Sequence, residues 1–122
     1  MNTLEAVVAH AETLTAIRKK DLQCGDRVLV TTRNSLYTVW VLGEGEYWVW
    51  GGWFDQKGLS PHRVGINGCT WGGSIIHRDI VAAPGLQLEF ANRLLTTRIR
   101  SVEVVRAKAS YSQNRVYGTR KI

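Results

Sequence analysis

The sequence predicts a small all-β domain, an antiparallel barrel or sandwich of about seven strands, on three observations. Short runs rich in branched and aromatic residues recur through residues 27–105. Turn signals separate those runs at roughly the 8–12-residue spacing of sandwiches and barrels. Glycine pairs at Gly51-Gly52 and Gly72-Gly73 interrupt two of the aromatic stretches, and such pairs mark bulges or sharp bends. Bent strands favour the barrel over the sandwich.

One amphipathic helix is expected ahead of the β-domain, over residues 3–20. Leu4, Val7, Val8, Ala11, Leu14 or Thr15, and Ile17 or Arg18 follow the spacing of a single apolar stripe. Thr3 suits the N-cap, and Arg18-Lys19-Lys20 suit the negative end of the helix dipole. Strands are then expected at Arg27–Thr32, at Leu36–Leu42 and, across the tight Gly43–Glu46 connection, at Tyr47–Trp50. The last two should pair antiparallel. Asp55–Pro61 reads as a loop and His62–Ile66 as a short strand. Asn67-Gly68 reads as a turn, followed by strands at Ser74–His77 and Leu86–Phe90. Residues 94–105 are expected to hold one or two more. Beyond Arg106 the apolar period is lost, so residues 106–122 read as a basic tail on a single domain spanning 1–122.

A chain of 122 residues, 44% apolar and 21% charged, has the make-up of an ordinary globular domain with enough core to dispense with staples. Its two cysteines, Cys24 and Cys69, show no zinc-type spacing. The N-terminus lacks the basic-then-apolar order of a signal peptide, and no apolar run is long enough to span a membrane. The expectation is a cytoplasmic protein without cofactor, metal or membrane partner. The net charge of +6 is unevenly placed: residues 1–92 hold eight basic against nine acidic residues, and residues 93–122 hold eight basic against Glu103 alone. A basic region of this kind suits nucleic acid or another polyanion.

Residues 47–74 carry four of the five tryptophans and seven of the twelve glycines. Alternation puts Trp48 and Trp50 on one face of their strand and Tyr47 and Val49 on the other. Both faces cannot lie inside one small barrel, so one set is either covered by the helix or a second subunit, or exposed as a stacking platform. Candidate ligand-binding residues are therefore Trp48, Trp50, Trp53 and Trp71, with Arg98, Arg100, Arg106 and Lys108 from the basic set. Arg98 and Arg100, two apart on a strand, would form a positive stripe.

Several short motifs resemble the framework of a group of small bacterial β-rich proteins of unassigned function. They are Thr32-Arg33-Asn34-Ser35-x-Tyr37, Gly51-Gly52-x-Phe54, Gly72-Gly73-Ser74, Gly85-x-x-Leu88-x-Phe90 and Thr96-Thr97-x-Ile99. The resemblance covers roughly residues 27–104, implies a compact β-domain and brings no catalytic residues with it.

Catalytic and phosphate-loop readings are weaker. Gly68–Ser74 lacks the Gly-Lys-Ser/Thr of a Walker loop and the GxGxxG order of a dinucleotide site. Cys69 with His62 or His77 could form a thiolate–imidazole pair, although nothing in the sequence joins them. The leading expectation is a non-enzymatic binding module with nucleic acid as first ligand. The alternatives are a structural protein assembling into homo- or hetero-oligomers through helix and tail, and a small Cys/His enzyme.

Overall fold

The computed structural model describes residues 16–72 and 75–107. In chain order the elements are β1 (Ile17–Arg18), a 3-10 turn (Lys19–Asp21), β2 (Arg27–Thr32), β3 (Leu36–Gly43), β4 (Glu46–Gly51) and α1 (Gly52–Gln56). They continue with β5 (His62–Trp71), β6 (Ile75–His77), β7 (Ile80–Ala82), β8 (Gln87–Phe90) and β9 (Leu95–Val105). Six strands close an antiparallel barrel in the order β4-β3-β2-β9-β8-β5, and β5 returns to β4. β6 extends the sheet beyond β5, and β1 pairs with β7.

Local sequence explains the first half directly. In β2, β3 and β4 every second side chain is buried, so Val28, Val30, Val39 and Val49 fill the interior and their neighbours face outward. The β3–β4 connection puts Glu44 and Gly45 at positive φ (55° and 79°), the pattern of a two-residue type I′ turn whose twist matches the strands it joins.

Closure relies on two long strands that change partners. β5 pairs with β4 through residues 62–65 and with β8 through residues 66–70. β9 pairs with β8 near its start and with β2 from Ile99 onward. Each change of partner needs a bend, and register shifts supply it between Ile66 and Gly68 on β5 and at two places along β9. A Cβ on Gly68, at φ 144°, would sit 2.3 Å from the His77 carbonyl oxygen. Only glycine lets the β6–β7 turn lie so close against β5. In β9 the bulges leave every third residue buried, namely Thr96, Ile99 and Val102. The buried Thr96 hydroxyl accepts from the Leu88 N–H (3.1 Å) and donates to the Thr97 carbonyl (2.7 Å), so it carries no unmet hydrogen bond.

Among the described residues one short α-helix, α1, stoppers the barrel with Phe54. Its ring is fully buried, edge-on to Phe90 (5.1 Å) and Trp53 (5.3 Å) and stacked on His62 (5.4 Å).

Three expectations need correction. The helix over residues 3–20 is not borne out where it can be seen, since Ile17–Arg18 is strand and Lys19–Asp21 a 3-10 turn; residues 3–15 lie outside the described residues. The apolar Ile17 joins the core through β7 instead of through a helical stripe. Part of the Asp55–Pro61 loop is the end of α1. Asn67-Gly68 is a bulge within one continuous strand, because β8 and β6 pair with the residues beyond it.

A buried carboxylate ties the two ends of the barrel sequence together. Asp26, 2% exposed, accepts from the N–H groups of Gln23 and Ala107 (both 2.8 Å) and from Arg106 Nη1 (3.0 Å). Burial alone would raise its pKa. The Ala107 and Gln23 N–H groups and the Arg106 guanidinium outweigh burial and hold the carboxyl below its ordinary value. A depressed carboxyl stabilises the fold above its unfolded pKa of about 3.9, and that contribution is lost as pH falls from there through the folded value. Asp26→Asn should cost about 2 kcal/mol near neutral pH, read as a lower thermal midpoint, and the loss should shrink below about pH 4. Phe54→Ala, which empties the stopper, should cost about 3–5 kcal/mol in the same measurement.

Candidate nucleic-acid interface

The outward side chains of β2–β5 make one continuous aromatic surface. Antiparallel register puts Arg27, Trp40, Trp48 and Arg63 in a row across four strands. A second row runs Leu29, Thr38 and Trp50. Trp40 is 38% exposed, and its ring lies 6.2 Å from that of Trp50 at a 48° tilt. Trp48 and Trp50 are half-buried. The Arg27 guanidinium sits 5.4 Å from the Trp40 ring centre, a cation–π distance, and Arg63 Nε meets Glu46 Oε1 at 3.3 Å in an exposed ion pair. Three indoles are thus held in a rigid sheet between two guanidiniums.

Beside Trp50 the surface dips into an open groove of about 540 Å³, edged by Asn34, Ser35, Thr38, Asp55 and Gln56. Asp55 is oriented there by the Gly51 N–H, which donates to its Oδ1 at 3.0 Å. Asn34 and Ser35 belong to the β2–β3 turn, fixed by Thr32 N–H donating to the Ser35 carbonyl (2.8 Å).

The other sequence-predicted residues fall elsewhere. Trp53 packs edge-on against Phe54, and its backbone N–H donates to the Tyr37 hydroxyl (3.4 Å). Trp71 stands 57% exposed at the end of β5, with the Arg98 guanidinium 4.0 Å above its ring. Eight residues of β5 separate Arg63 from Trp71, about 26 Å of strand, so this pair is a separate surface. Arg98 and Arg100 are both exposed on either side of buried Ile99. Arg106 is committed to Asp26 and to the Asp21 carbonyl (2.7 Å). Lys108 lies outside the described residues. The structure therefore brings Trp48 and Trp50 together, joins Arg98 to Trp71, and adds Trp40, Arg27 and Arg63. Hairpin register could have placed Trp40 opposite Trp48. Arg63 depends on the β4–β5 closure, which local sequence does not encode.

Burial sets the state of the Cys69 thiol. Cys69 is fully buried, donates to the Val81 carbonyl (3.4 Å), and has its thiol pushed up to about 12 by loss of hydration. His77 is its register partner on β6 but is exposed, and His62 stacks on Phe54. Cys69 is therefore protonated at neutral pH and out of reach of substrate. Among the described residues no group of three His, Cys, Asp or Glu could hold a metal ion, and no helix is long and apolar enough to cross a membrane. Treated with iodoacetamide near pH 8, exposed Cys24 should react while Cys69 stays unmodified until denaturant is added. Mass spectrometry of the labelled peptides checks this.

With this geometry in hand, comparison with family models, with curated proteins and with solved structures finds no match, so the resemblance rests on its short motifs alone.

Proposed function

We propose that this protein is a non-enzymatic module that binds single-stranded nucleic acid on the Trp40, Trp48 and Trp50 face. The observation that carries the reading is the placement of three indoles on the outside of a closed barrel, between Arg27 and Arg63. Indoles ordinarily bury much of their surface, and here the core is filled without them, chiefly by valines, tyrosines and phenylalanines. Indoles held in a sheet offer flat faces at little entropic cost, and stacking of a base on such a ring contributes about 1–3 kcal/mol whatever its identity. The two guanidiniums, three strand spacings or about 14 Å apart, bracket the rings where a backbone would pass.

The Asp26 clasp supports the same reading. It holds Ala107 on Asp26, the neighbour of Arg27, so the last described residues of the chain lie beside the strand that carries Arg27. Cytoplasmic location fits the two free thiols.

A second reading, association with another copy of the chain, has its own observation. Trp71 and Ile75, register partners across β5 and β6, are 57% and 68% exposed.

The test is a fluorescence titration of the full chain with short single-stranded and duplex oligonucleotides, at low and moderate salt. Single strands should quench tryptophan emission, with affinity falling steeply as salt rises. Trp40→Ala and Trp50→Ala should each weaken binding roughly tenfold, in line with about 1–3 kcal/mol per stacked base. Arg27→Ala with Arg63→Ala should flatten the salt dependence. No response at low salt would sink the proposal, and a dimer by light scattering would then favour the second reading.

A further inference from the structure

A polar cleft of about 370 Å³ on another part of the surface has the parts of an anion site. It is lined by Asn67, Ile76, Arg78, Glu89 and Arg93. Three strands and two turns build it, and its polar residues are held for local reasons. Arg78 begins the β6–β7 turn, which rests on Gly68: the Arg78 Cα lies 2.9 Å from where a Cβ on that glycine would be. Arg93 sits in the β8–β9 turn at φ 72°, a left-handed conformation uncommon for a non-glycine residue, with its N–H donating to the Phe90 carbonyl (2.9 Å). Asn67 donates through Nδ2 to Glu89 Oε2 (2.8 Å) and to the Phe90 carbonyl (3.3 Å), so the carboxylate is fixed by a neutral amide.

The charges in this cleft do not cancel. Among the described residues the ion pairs are Arg18 with Asp79, Arg63 with Glu46 and Arg106 with Asp26, so neither Arg78 nor Arg93 has an anionic partner. Asp79, the acid next to Arg78 in sequence, is taken by Arg18. Glu89 lines the same cleft yet pairs with neither arginine. Two guanidinium forks and one immobilised carboxylate line the same small volume, which leaves an excess positive charge and N–H groups not taken up by an ion pair. Guanidinium forks match the oxygens of a phosphate, and a fixed carboxylate oxygen accepts from a hydroxyl. The volume falls at the lower end of the roughly 300–1,000 Å³ of small-molecule sites.

We infer that this cleft binds a small phosphate monoester bearing a nearby hydroxyl, with Arg78 and Arg93 on the phosphate and Glu89 on the hydroxyl. That chemistry is shared by pentose phosphates and mononucleotides. The site is distinct from the tryptophan face. Asn67 follows Arg63 by four residues on the outward side of β5, about 13 Å away.

Calorimetric titration of the full chain with ribose 5-phosphate, adenosine monophosphate, inorganic phosphate and ribose tests it. Both esters should bind, ribose should not, and inorganic phosphate should bind more weakly than the esters. Arg78→Gln and Arg93→Asn should each weaken ester binding about tenfold or more. Asparagine keeps the left-handed backbone, and both arginines are exposed, so unchanged thermal midpoints will certify the fold. Glu89→Gln should lower affinity for the esters but not for inorganic phosphate, and Trp50→Ala should change neither. Tighter binding of adenosine monophosphate than of ribose 5-phosphate would assign the source to nucleotides, and the reverse order to sugar phosphates. The inference is overturned if neither ester binds at millimolar concentration, if Arg78→Gln binds as well as the native chain, or if inorganic phosphate binds as tightly as the esters.

Discussion

The pairing of β4 with β5 is the constraint from which the rest of this structure follows. Without it the chain would hold an open sheet with β4 at its edge, and the valines of β2–β4 would face water on one side. With it, the six strands have no free edge around the ring, and one interior must hold every inward side chain. The interior is narrow, and it is filled by slim branched residues with four larger rings, Tyr37, Tyr47, Phe54 and Phe90. Tryptophans on the same strands are left outside by alternation.

That division explains how the cations are used. Arg27 lies over Trp40, Arg98 lies over Trp71, and Arg106 neutralises the buried Asp26. Each of these guanidiniums has a neighbour that accounts for its position. Arg78 and Arg93 differ in sharing one cleft, where neither forms an ion pair among the described residues. An aromatic surface and a small basic cleft therefore coexist on one domain, reached from different strands and suited to different chemistries.

Much of the first half was legible in the sequence. From Arg27 to Gly51, alternation, a glycine-bearing two-residue turn and branched side chains all point to the same hairpin. Residues 52–56 were harder, since two glycines beside aromatic residues read as a bend, and the helical turn owes its existence to Phe54 filling the barrel mouth. Asn67-Gly68 has the composition of a turn, yet pairing on both sides holds it in β5. β9 hid its inward face because two bulges changed a period of two into a period of three. For the site, Trp48 and Trp50 could be seen from alternation alone. Arg63, Arg78 and Arg93 could not, because their neighbours come from strands far away in sequence.

The position of β9 bears on how the chain is made. Among the barrel strands it is the last to be synthesised, yet it lies between β2 and β8 rather than at a margin. A nascent chain that has emerged only as far as Phe90 can form the β2–β3–β4 sheet and lay β5 against it, but β2 and β8 each wait with an unpaired edge. Ring closure and the Asp26 clasp both become possible only when residues 95–107 have left the ribosome. The final strand therefore acts as a keystone, and partly synthesised chains expose the strand margins that the finished barrel conceals.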